Sequence, residues 1–180
     1  MKQVIKRNGT VTAYQSDKIK NAVSKAFVQV HQEYTDVLGN TILSSVEAEL
    51  DGRDSASVEE IQNAVEKSLM KEGFYDVAKA YILYRQKRTE ARDVRLQLSS
   101  LLKDEKLNDV LFDIQKDFGD YDLKRLALKF QSMDKEELSS SERMGVLIRS
   151  AEELTSKEEP RWEKIAGRLL AYQFHQDLRT

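Results

Sequence analysis

The chain has 180 residues and a formal net charge of −2, with 33% charged and 40% apolar residues, a mixture that buries a core while keeping the surface wet and argues against wholesale disorder. The near-balance of charge speaks against a dedicated nucleic-acid binder. With no cysteine, disulfides, thiolate metal sites, iron–sulfur clusters and thiyl chemistry are excluded within these residues. The length allows one ordinary domain or two small ones. The longest uninterrupted apolar run, Ala80 to Tyr84, is far short of the ~20 residues that cross a membrane. No apolar stretch follows Met1-Lys2, so no signal peptide is expected and the default location is cytoplasmic.

The chain opens on two β-prone runs, Lys2 to Lys6 and Thr10 to Tyr14, separated by Asn8-Gly9. That dipeptide tolerates positive φ at both central positions of a type I′ turn, so the pair reads as a β-hairpin. Ser16 then stands as the cap of a helix carrying Ile19, Ala22, Val23, Ala26, Phe27 and Val30 at helical spacing. A second helix is expected from Tyr34 to Leu50, with Val37, Leu38, Ile42, Val46 and Leu50 inward and Asp51-Gly52-Arg53-Asp54 as its exit loop. Ser57-Val58-Glu59-Glu60 fits the capping box, in which hydroxyl and carboxylate satisfy each other's orphan amides, so a third helix starts there and ends near Gly73. A fourth runs from Tyr75 to about Arg92 and turns basic through Arg85, Lys87, Arg88 and Arg92.

Beyond Asp93 the pattern changes to short helices with acidic and serine-rich joints, which places a domain boundary at about 93–105 and gives domains 1–92 and 93–180. Two late stripes are strong: Met144, Leu147, Ile148, Ala151 and Leu154, then Trp162, Ile165, Ala166, Leu169 and Leu170, with Pro160 in the first turn of the last helix. The fold class is therefore mainly α, an N-terminal hairpin over a four-helix bundle followed by a second all-helical segment. Residues 1–92 hold 14 Lys and Arg against 13 acids and the remainder 15 against 18, so an anion site belongs in the first part.

The first 25 residues contain Lys2, Lys6, Arg7, Lys18, Lys20 and Lys25 against the single acid Asp17. Helix N-terminal amides, a turn open to close approach at Gly9 and cationic heads are the ingredients of a phosphate site. A solvated basic surface is the bland alternative for the same pattern. Adjacent carboxylates at Glu59-Glu60 and Glu158-Glu159 point about 100° apart on a helix and make poor acid–base pairs. No P-loop ending in Gly-Lys-Ser/Thr is present. His31 and His175, far apart, offer no metal ligand set.

Four blocks, Val4-Ile5-Lys6-Arg7-Asn8-Gly9, Asp17-Lys18-Ile19, Ser57-Val58-Glu59-Glu60-Ile61-Gln62 and Asp76-Val77-Ala78-Lys79-Ala80-Tyr81-Ile82-Leu83-Tyr84-Arg85, closely resemble the ATP-cone in order and spacing. The resemblance covers roughly residues 1–92. It implies a hairpin lid over four helices that binds ATP or dATP as allosteric effectors, with Mg²⁺ accompanying the triphosphate and no metal held by protein ligands. It further implies that Val4 and Ile5 contact the base region, that Lys6, Arg7 and Lys18 hold phosphates at the Gly9 turn, and that Gln15 and Asn21 lie near the nucleotide. Val58 and Gln62 would approach from the third helix, and Lys87 or Arg88 would close the site from the fourth.

The second half, through Leu107-Asn108-Asp109-Val110-Leu111, Tyr121-Asp122-Leu123, Glu153-Leu154-Thr155-Ser156 and Pro160-Arg161-Trp162-Glu163-Lys164-Ile165-Ala166-Gly167-Arg168-Leu169-Leu170, resembles the helical N-terminal region of class I ribonucleoside-diphosphate reductase large subunits. The resemblance implies reductase subunits as partners, either further copies of the large subunit or the radical-generating small one. It also implies that residues 1–180, without the family's cysteines and barrel, reduce no ribonucleotide alone. A cone-bearing DNA-binding repressor would need a four-cysteine zinc ribbon, which is absent. The other alternative is a helical interaction module with a degenerate, non-binding cone.

Overall fold

The structure, a computed structural model, describes residues 1–119 and 121–178. It is mainly α with a small sheet at the N-terminus: β1 (Gln3–Ile5), β2 (Val11–Ala13), α1 (Ser16–Gln29), α2 (Asp36–Glu49), β3 (Ser55–Ser57), α3 (Val58–Lys71), α4 (Tyr75–Leu101), α5 (Leu107–Phe118), α6 (Leu123–Met133), α7 (Ser140–Glu153) and α8 (Arg161–Asp177). Two compact units divide inside α4, Met1–Lys87 and Arg88–Thr180.

In the first unit the expected hairpin is the edge of a three-stranded sheet of order β2-β1-β3. β1 pairs antiparallel with β2, Ile5 opposite Val11, and parallel with β3, Ile5 opposite Ser57. β3 escapes a sequence reading because Ser55-Ala56-Ser57 has neither β-branched nor aromatic residues; only Ala56 is buried. The core beneath is built from Val23, Phe27, Ile42, Val46, Val65, Leu69, Val77 and Tyr81. Phe27 stands edge-on to both Tyr34 and Phe74, at 5.7 and 5.1 Å between centroids.

The helix stripes fall largely where their spacing puts them, with specific exceptions. Ser16 is the first helical residue and Gln15 the cap position, without a side-chain cap bond. α2 is capped by Thr35, whose hydroxyl accepts from the Leu38 amide. Val37, in that first turn, is one residue off the 38-42-46-50 stripe and is 74% exposed. The capping box at Ser57 and Glu60 is present in both directions.

The second unit has its own core, dominated by Leu98, Leu102, Leu107, Leu111, Ile114, Phe130, Leu147, Trp162, Ile165 and Leu169. Trp162 packs edge-on against Tyr121 at 5.3 Å. Leu170 is exposed, contrary to its place in the expected stripe. A second capping box, Ser139 with Glu142, starts α7 inside what reads as a serine-rich joint. Neither proline nor glycine occurs between Phe74 and Phe118, so nothing ends α4 at the basic run and it continues through the expected boundary to Leu101.

Candidate functional site

The hairpin turn differs from the expected type. Lys6 O accepts from Gly9 N (2.9 Å) and Lys6 N donates to Thr10 O (2.8 Å), so Arg7 and Asn8 are the central residues and Gly9 follows at φ 82°. Among the described residues only His31 and Lys103 are non-glycines at positive φ, which removes the type I′ reading: this is a three-residue loop closed by a left-handed glycine. Asn8 Oδ1 accepts from both the Thr10 amide (3.1 Å) and hydroxyl (2.7 Å). The tip is thereby fixed with Arg7 at its leading corner.

Strand direction then decides which helix the tip meets. β2 runs away from the turn, so α1 starts at the other end of the sheet, where Tyr14 N donates to Lys2 O (3.0 Å). β3 runs parallel to β1 and leads straight into α3, so the helix start beside Lys6 and Arg7 is that of α3. The sequence pointed to α1 because β3 left no signal.

At the start of α3 the Arg7 guanidinium donates from Nε to the Glu59 carboxylate and reaches Gln62 Oε1 from Nη2 at 3.5 Å, the long end of hydrogen-bonding range. One face of α3 continues this row. Arg85 of α4 donates to Asn63 Oδ1 (2.8 Å) and Glu66 Oε1 (2.7 Å), and that ion pair is the more enclosed, 22% and 20% exposed. Glu59, Gln62, Asn63 and Glu66 recur at three and four residues, which aligns them along a helix. The Arg7 hydrogen bond, chiefly, holds the Glu59 carboxyl below the usual carboxylate range, with Arg85 adding a smaller pull. Glu60, occupied by the Ser57 amide and hydroxyl and by Arg53 at 2.6 Å, is also lowered.

Arg7, Gln62 and Val58 are thus gathered at one place, with Lys6 and Gly9 on the adjoining turn. Val4 is half-buried against the core and Ile5, the next residue, is exposed on the opposite sheet face beside Val11. Gln15, Lys18 and Asn21 are exposed on the first turns of α1. Lys87 is exposed about 200° around α4 from Arg85 and so faces away from the α3 row. Arg88 begins the second unit and is exposed. Sequence reasoning missed Glu59 as a partner of Arg7, Asn63 and Glu66 altogether, and the pairing of Arg85 with them; the i, i+3/i+4 recurrence of polar residues on α3 was the available signal.

The second unit holds a pocket of about 300 Å³ between Leu102, Asp104, Ser140, Met144 and Gln176. Its Asp104 carboxylate already accepts from the Tyr172 hydroxyl (2.8 Å), Gln176 (3.1 Å) and the Lys106 amide (3.1 Å), a tether between α8 and the turn before α5. Among the described residues no group of three or more His, Cys, Asp or Glu side chains is placed to hold a metal ion, and no helix is long and apolar enough to cross a membrane.

The family described as ATP cone domain matches residues 2–90. This part of the chain is an ATP cone. Over nearly its whole length, cone included, the chain is 38% identical across 186 aligned positions to the ribonucleoside-diphosphate reductase subunit alpha of Treponema pallidum, covering 98% of this chain and 22% of that protein. It is 41% identical over 98 residues to the vitamin B12-dependent ribonucleoside-diphosphate reductase of Thermoplasma acidophilum, 52% of this chain and 13% of the relative. The anaerobic ribonucleoside-triphosphate reductase of Escherichia coli is 32% identical over 100 residues, 56% and 14% respectively. The chain spans about a fifth of the length of the Treponema protein, 22%. Within the cone, a guanidinium, an ammonium, a side-chain amide and a helix start around a glycine turn form a donor set that suits phosphate oxygens.

Proposed function

We propose that this chain is the adenine-nucleotide-sensing N-terminal part of a class I ribonucleoside-diphosphate reductase large subunit. ATP or dATP, carried with Mg²⁺ held by phosphate and water oxygens, would bind the cone and alter how reductase subunits associate, either large subunits with one another or with the radical-generating subunit. The observation that carries this reading is the cone over residues 2–90 with Arg7 and Gln62 brought to the start of α3. The match to the Treponema alpha subunit, which continues through nearly all of the chain, supports the assignment to that kind of reductase. Lys6, Arg7 and Lys18 are the proposed phosphate ligands, Val4 and Ile5 the proposed contacts of the base region, and Gln15, Asn21, Val58 and Gln62 the proposed neighbours of the nucleotide; Lys87, which faces away from the α3 row, and Arg88, which belongs to the second unit, are not carried into the site. ATP and dATP differ by one 2′-hydroxyl, so a switch requires that they seat differently or in different number, and a coupling of ~1–3 kcal/mol suffices. Reduction itself is not assigned to these residues.

Thermal unfolding with ATP, dATP, GTP and no nucleotide, each with Mg²⁺, tests the reading. A ligand at 100 times its Kd adds about 2.7 kcal/mol, which raises the midpoint of a chain this long by roughly 5 °C or more at about 2–4 °C per kcal/mol. Stabilisation by ATP and dATP, weaker with GTP and reduced in Arg7→Ala, is expected. No shift with any nucleotide at millimolar concentration would leave the helical interaction module as the better reading.

A further inference from the structure

The Arg7 guanidinium sits on the turn that the cone offers to phosphate, yet its Nε edge is given to Glu59 and its Nη2 to Gln62. A carboxylate against a guanidinium, in the first turn of a helix, has the chemistry of a bound phosphoryl group: acceptor-only oxygens and negative charge at the positive end of a dipole. Arg7 and Glu59 are 30% and 45% exposed in their side chains, so water screens the pair and it yields at small cost. By contrast the Arg85–Glu66 pair lower on the same face is more enclosed. We propose that Glu59 is an internal competitor for the phosphate site, a carboxylate that holds Arg7 until a polyphosphate displaces it. Glu59 thereby lowers the affinity of the cone for nucleotide, and exchange of partners at Arg7 releases the hairpin tip from α3. The inference rests on the reading of the cone as a nucleotide binder and adds its regulation.

Calorimetric titration of Mg-ATP into the 180-residue chain tests it, in wild type, Glu59→Gln, Glu60→Gln, Arg7→Ala and the Arg7→Ala/Glu59→Gln double variant. Glu59→Gln is expected to bind ATP about two- to fivefold more tightly, the size set by release of a half-exposed ion pair. Glu60→Gln removes the same charge from the same helical turn but leaves the partners of Arg7 in place, so its gain is smaller. In the Arg7→Ala background Glu59→Gln has no effect. Equal affinities for wild type and Glu59→Gln, or equal gains from the two glutamine variants, would overturn the inference alone. So would weaker binding by Glu59→Gln in Mg²⁺, which would place Glu59 on the metal side of the nucleotide. No binding by wild type would overturn the nucleotide reading and this inference with it.

Discussion

Arg7 shows what a single residue's neighbours add to its sequence context. The cluster of six cations makes it a candidate, but its role depends on a turn with one positive φ, at Gly9, and on a helix start delivered by β3. Gly39 is the opposite case, a residue whose constraint has no sequence signal. A Cβ built there would stand 2.0 Å from the Tyr34 hydroxyl oxygen and 2.8 Å from the adjoining ring carbon, while Tyr34 packs on Phe27. Gly39→Ala is therefore expected to destabilise the first unit despite the better helix propensity of alanine, by about 1–3 kcal/mol as overpacking does. Adding Tyr34→Phe should recover only part of the loss, because the ring carbon remains. Denaturant unfolding of the single and double variants measures both; a neutral or stabilising Gly39→Ala would contradict this packing.

At the scale of the element, capping explains which helix starts were legible. Ser57 and Glu60 stand before an apolar stripe and are read at once; Ser139 and Glu142 have the same spacing but lie in a run of three serines that hides the register. Both glutamates are held below the usual carboxylate range, Glu60 first by the Ser57 amide and Glu142 first by the Ser139 hydroxyl. Because the folded values lie below the unfolded ones, the stabilisation is complete above the ordinary carboxylate pKa and is lost as pH falls through the lowered folded values. Thermal midpoints should thus decline with acidification below about pH 4.5, the ordinary value for these carboxyls. Glu60→Gln and Glu142→Gln, which keep an acceptor for the box but cannot titrate, should show a shallower decline. Equal slopes in wild type and both variants would show that other carboxylates govern acid unfolding. Absent elements are instructive too: β3 lacks any residue with strand preference, and α4 lacks any residue that could stop it.

At the scale of the whole molecule, apolar stripes on successive helices build two separate cores, one including Phe27, Val46 and Leu69 and the other Leu102, Phe130 and Trp162. Local helical periodicity made both cores readable, whereas the division between the units falls inside a continuous α4, with no turn or helix breaker to mark it. Trp162 is 1% exposed, and Trp162→Ala is expected to cost the second unit about 3–5 kcal/mol while leaving ATP affinity within about twofold, since Trp162 belongs to the core of the second unit and the cone has a core of its own. Titration of ATP into this variant at a temperature where it remains folded checks the expectation; a large loss of affinity would mean that the cone depends on the second core.

Backbone amide exchange with and without Mg-ATP, followed peptide by peptide, locates the bound nucleotide without assuming where it is. Slower exchange is expected over the hairpin turn at residues 6–10 and the start of α3 at residues 57–62, with residues 107–178 unchanged. Protection confined to the pocket around Asp104 and Gln176, or none at the turn despite saturating nucleotide, would contradict a phosphate site built on Arg7.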